Sequence, residues 1–183
     1  MTALAAAPPP RLLACEAFPD PRLPAVSPAT MDGPTFDYVA SMQMPFEQLR
    51  HAAGQIAGVL VLATVTRQGT AGHPMLDLAD TARREASEAI GTCRPPPPAE
   101  HHHRHLSLAA REIAAALDAA RRMLRGGDDA ALDTVLVPLR AGYRELQWAA
   151  GALPGFEVVA FSQGCCARHT QASAPPQSGR MIV

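Results

Sequence analysis

Four of the chain's histidines fall within five consecutive positions: His101, His102, His103 and His105. On a helix only His101 and His105 share a face, because residues four apart are neighbours while adjacent ones diverge by about 100°. Two imidazoles one turn apart suit Zn²⁺, Cu²⁺ or Ni²⁺, but a zinc site normally takes three or four protein ligands. Cys165, Cys166 and His169 are the candidates for the missing ligands, since thiolate and imidazole together suit Zn²⁺ or Cu⁺. Their spacing is not the C-x-x-C of zinc modules. The plainer account is a C-terminal segment whose small cysteines tuck against a helical body, although Arg168 nearby would favour a thiolate. Glu100 and His103 have the i, i+3 spacing of a di-iron carboxylate motif, but no second pair exists to complete it. The expected state of residues 100–105 is therefore a solvated, partly irregular helix start without a cofactor. Zn or Cu binding through His101, His105, Cys165, Cys166 and His169 is the alternative.

Other chemistry is thinner. Glu47 and His51 are four apart but fall off the apolar stripe of their segment, so a surface pair is expected. All sixteen basic residues are arginine, which excludes lysine nucleophiles and Schiff bases. No nucleophile sits in a recognisable turn context, and no glycine loop of the phosphate-binding kind is present. Trp148 is off the main stripe of its helix and shares a second one with Val137, Ala141 and Arg144. Tryptophan and arginine are enriched where proteins bind each other most tightly. These four residues are the candidate protein-binding surface; burial of Trp148 beneath residues 156–161 is the competing reading.

The elements that carry these residues follow from periodicity. Leu132, Leu136, Leu139, Tyr143, Leu146, Ala150 and Leu153 recur at steps of three and four, which is one apolar face of a helix. Asp128, Asp129 and Asp133 favour its start, and Gly151 and Pro154 its end. Pro138 inside it predicts a kink. Val39, Met42, Phe46, Leu49, Ala53, Ile56, Leu60 and Ala63 trace an earlier helix. Pro45 interrupts this stripe, and the expectation is a short leading turn to Met44 followed by a main helix with Pro45 in its first turn. Gly54 and Gly58 are expected to let a neighbouring helix approach.

A second helix is predicted over Pro74–Thr92, with Asp80–Arg84 and Arg84–Glu88 pairs outside. Pro95 to Pro98 form a stiff spacer. Leu106, Ala110, Ile113, Leu117, Ala120 and Leu124 mark a third helix, closed by Gly126-Gly127. Short connections make neighbours antiparallel. The predicted fold is all-α: an antiparallel four-helix bundle of two helical hairpins, over residues 35–155. A disordered Pro/Ala-rich arm precedes it over 1–34, which holds eight prolines. An extended segment packed on the bundle is expected over 156–170, and a disordered tail over 171–183.

A formal charge of −1 gives no reason to expect nucleic acid. The most apolar run, Ala52 to Thr66, is too short to span a membrane and contains Gln55. Leu12-Leu13-Ala14-Cys15 resembles a lipoprotein cleavage site, but Pro8-Pro9-Pro10-Arg11 breaks the apolar run such a signal needs. Met31 stands as a second candidate start. Four irregularly spaced cysteines point to a reducing compartment, so a cytoplasmic location is expected. The functional expectation is a small helical adaptor or accessory subunit without catalytic activity, binding another protein, itself, or both. The alternative is a metal-binding or metal-delivery protein.

Overall fold

The computed structural model describes residues 31–66, 73–126 and 132–158. The expected arm up to residue 30, the tail and Cys165, Cys166 and His169 lie outside the described residues. Four helices follow in order: α1 (Gly33–Thr66), α2 (Pro74–Thr92), α3 (Glu100–Gly126) and α4 (Leu132–Ala152), with a 3-10 turn at Pro97–Ala99 leading into α3. They form the antiparallel bundle of two hairpins, with the most extensive packing between α3 and α4 and between α1 and α2. α3, like α1, packs on all three other helices, and it makes the most extensive contacts of the four. Accordingly, its buried residues extend beyond a single stripe and include Ala109, Ala116 and Ala119.

α1 departs from the two-part expectation. It runs unbroken from Gly33 through Pro45 to Thr66. Asp32 begins it, its side chain accepting from the Thr35 N–H at 2.9 Å and its carbonyl from the Phe36 N–H at 2.9 Å. A proline inside a helix costs roughly 3 kcal/mol. Burial of Tyr38, Val39 and Met42 before Pro45, and of Phe46 and Leu49 after it, outweighs that cost by holding both halves to one core. α4 likewise continues through Pro138. α2 matches its expected bounds, and His73 caps it by accepting from the Met75 N–H at 3.3 Å.

Two local expectations are corrected. Asp80 pairs with Arg83 at 2.6 Å and with Arg121 of α3 at 3.1 Å rather than with Arg84, because α3 passes close enough to supply the second guanidinium. Gly54 faces open space, and only Gly58 meets a neighbour, the Met75 methyl 3.4 Å from where its Cβ would lie. The glycine that permits close helix approach is Gly142 on α4. A Cβ there would lie 2.9 Å from Ile113 Cγ1 and 3.3 Å from the Ile113 backbone nitrogen. After α4, Gly155 takes a positive φ of 94°, open mainly to glycine, and turns the chain back. Phe156 then packs on Phe46 with ring centroids 5.2 Å apart. Among the described residues no helix is long and apolar enough to cross a membrane.

Candidate functional site: a histidine cluster joining three helices

Proline at 95 to 98 ends α2, and the Ala99 N–H bonds back to the Pro96 carbonyl at 2.8 Å, so α3 starts without a loop. Ala99 is fully buried, and the turn that follows it carries His102 onto the same core face while Glu100 stays exposed. The solvated helix start expected from sequence is not what forms: His102 and His105 are buried, while His101 remains exposed. The reason is register. Leu106 lies on the core face of α3, and stepping back by four and then three reaches His102 and Ala99.

His102 has no solvent exposure. Its Nδ1 is 2.8 Å from the Tyr38 hydroxyl of α1, and His103 Nδ1 is 3.4 Å from the same oxygen. Its ring lies 4.2 Å, centroid to centroid, from Phe156. His102 Nε2 is buried with no hydrogen-bond partner. We assign the proton to Nδ1, donating to the Tyr38 oxygen, whose O–H in turn donates to His103. That tautomer leaves a bare lone pair at Nε2 rather than a stranded N–H. Burial, aided by the neighbouring histidines, drives the His102 pKa down to about 3, so the ring is neutral at ordinary pH. Burial likewise raises the Tyr38 pKa and keeps its hydroxyl protonated.

The second half of the cluster links α3 to α4. His105 Nδ1 is 2.6 Å from Glu145 Oε2, and their side chains are 9% and 14% exposed. His105 Nε2 lies 3.1 Å from His101 Nε2. The carboxylate accepts the Nδ1–H, which leaves the His105 Nε2 lone pair directed at His101. Burial, then His105 and Arg104, lower the His101 pKa. The Trp148 ring packs 5.5 Å from His105 on another side, and the Arg144 guanidinium lies 5.3 Å from the Trp148 ring centre.

Trp148 is thus half-buried against His105, whereas Phe156 packs on Phe46 and His102. Val137 is 67% exposed, Arg144 is exposed and Ala141 is half-buried on the same side of α4. Glu47 accepts from Arg50 Nε at 2.9 Å and lies 4.0 Å from His51, a surface arrangement. Glu100 and His103 do not form a ligand pair, since His103 turns to Tyr38. Among the described residues no group of three or more His, Cys, Asp or Glu side chains is arranged to hold a metal ion.

The chemistry open to this cluster is proton sharing and ligation through imidazole nitrogens rather than nucleophilic attack. Cys93 is half-buried with its thiol pKa raised by burial, the opposite of an activated nucleophile. Among the described residues, grooves of about 290 Å³ between α2 and α3 and about 230 Å³ beside Met44 and Phe156 are lined by none of the clustered histidines.

Sequence reasoning missed Tyr38, His102 and Glu145. Extending the α3 stripe back past Leu106 would have found His102. Glu145 was also available, as the sole carboxylate in α4 after Asp133, in the half that an antiparallel hairpin lays beside the start of α3. Tyr38 adjoins Val39 of the α1 stripe but carries no spacing signal toward a histidine. No protein-family model, curated protein or solved structure matches the chain.

Proposed function

We propose that the chain is a non-catalytic helical accessory protein of the cytoplasm that acts by binding protein surfaces, beginning with a second copy of itself. The observation that carries this reading is the outer face of α4, where Arg144 stacks over Trp148 and Val137 stands open to solvent. A half-buried tryptophan held in place by an arginine and by His105 offers a rigid contact at small entropic cost.

The choice of a second copy follows from charge. Asp133, Val137, Ala141, Arg144 and Trp148 run along one side of α4, with the exposed acid at one end and the exposed base toward the other. Two such helices crossing antiparallel about a two-fold axis bring Asp133 of each copy against Arg144 of the other, while Val137 meets Ala141. A face that is complementary to itself is what an isologous dimer requires.

Sedimentation over a range of concentrations tests this. A concentration-dependent dimer is expected, dissociated by Val137→Glu and by either charge reversal, Asp133→Arg or Arg144→Asp. The two reversals together should restore it. A monomer at all concentrations, or a dimer indifferent to all of these changes, refutes the reading.

A further inference from the structure

We infer that His101 and His105 form a binding site for a divalent first-row transition-metal ion, Cu²⁺ foremost, with Glu145 orienting His105 from the outer shell. This inference concerns the contact between the start of α3 and α4 at His105 and Glu145 and does not rest on the dimer.

The geometry is that of a chelating pair. Their Nε2 atoms are 3.1 Å apart. Two nitrogens each about 2.0–2.1 Å from one ion, at angles between square-planar and tetrahedral, are separated by about 2.9–3.4 Å. No ring has to move far to exchange the shared hydrogen bond for a shared ion. The protons also permit the exchange. With its proton on Nδ1, where Glu145 accepts it at 2.6 Å, His105 presents at Nε2 the lone pair that faces His101 and that an ion would take up. His101 is on the surface, and moving its single proton from Nε2 to the other ring nitrogen frees the second donor without any change in charge.

A carboxylate on the far nitrogen of a ligating histidine is the usual second shell of imidazole metal sites, fixing the ring's tautomer and direction. Here the carboxylate comes from α4, so a bound ion would be tied to both helices of the hairpin. The exposed His101 gives the ion access, while Trp148 closes another side of His105. Arg104 adds positive charge beside His101 and works against a cation; Glu145 offsets it.

Cu²⁺ is favoured for two reasons. It heads the affinity order of divalent first-row ions for nitrogen donors, and its tetragonal geometry accepts two cis imidazoles with water completing the shell. Zn²⁺ needs more protein ligands, and among the described residues there are two.

The test uses the full chain, stripped with chelator and titrated with CuCl₂ at fixed protein concentration. Trp148 is the chain's single tryptophan and lies 5.5 Å from His105, so its fluorescence reports an ion on that ring directly. Saturable quenching at one equivalent is expected, with electron paramagnetic resonance showing two equatorial nitrogens and Zn²⁺ competing weakly. His101→Ala, at an exposed position that leaves the fold intact by circular dichroism, should weaken binding at least tenfold. Glu145→Gln should weaken it about 10–100-fold, the usual effect of losing a second-shell partner. A Cys165→Ser/Cys166→Ser chain should bind as the parent does. Absence of saturable quenching, equal affinity in His101→Ala, or loss of binding confined to the cysteine variant overturns the assignment.

Discussion

The hydrogen bond between Tyr38 and His102 can be removed from either end or from both, and the three results are not expected to add. Tyr38→Phe keeps the ring in the core but takes away the oxygen 2.8 Å from His102 Nδ1. Nε2 already has no partner, so His102 would then be buried with neither nitrogen satisfied. Stranding a buried polar group costs about 1–3 kcal/mol, and full burial of His102 places the expected loss in the upper half of that range. His102→Leu removes the partner from the other side and leaves the Tyr38 hydroxyl only the 3.4 Å contact with His103. A loss of about 1–2 kcal/mol is expected there. In the double variant both buried polar groups have gone from an apolar site lined by Phe156, and the one partner lost is that of His103, which is only part-buried. Its total loss should fall short of the sum of the single losses by about 1–2 kcal/mol. Urea unfolding followed by far-UV circular dichroism and by Trp148 emission measures all four proteins, with an unchanged m-value confirming a common unfolding reaction. Additivity to within about 0.5 kcal/mol would show that the two groups do not depend on each other, and the bonding assigned here would be wrong.

Gly142→Ala should destabilise by about 1–3 kcal/mol despite the better helix propensity of alanine, because the Ile113 backbone 3.3 Å away cannot yield as a side chain can. Gly54→Ala, with nothing within 4 Å, should instead stabilise by up to about 1 kcal/mol in the same urea assay. The Arg83 hydrogen bond, with Arg121 assisting, holds the Asp80 pKa below its ordinary 3.8. Folding is therefore favoured by this carboxylate above that value, and the benefit disappears as pH falls through the lower folded-state pKa. Asp80→Asn should lower stability at neutral pH and converge with the parent in acid; parallel stability curves down to the lowest pH would contradict this.

The helical stripes were legible from residue types alone, and with them the bundle, because a period near 3.6 shows which side of each helix seeks cover. Pro74 and the prolines after Cys93 set the ends of α2 for an equally local reason: backbone chemistry acts within one turn. Pro45 shows where local rules stop. Its penalty is local, but Phe46 and Leu49 on one side and Val39 and Met42 on the other are buried in the same core, and that decides the outcome. The histidine cluster divides in the same way. That His101 and His105 share a face follows from four-residue spacing. That His105 meets Glu145, forty residues away, depends on the register of α3 against α4, which close approach at Gly142 and Ile113 helps to set. His102 lay on a readable stripe, yet its type argued for solvent; only a Tyr38 hydroxyl brought in by α1 makes its burial tolerable. Periodicity along a chain tells each helix which face to hide, but a hydrogen bond between helices requires distances within a few tenths of an ångström, and the packing of all four helices sets those.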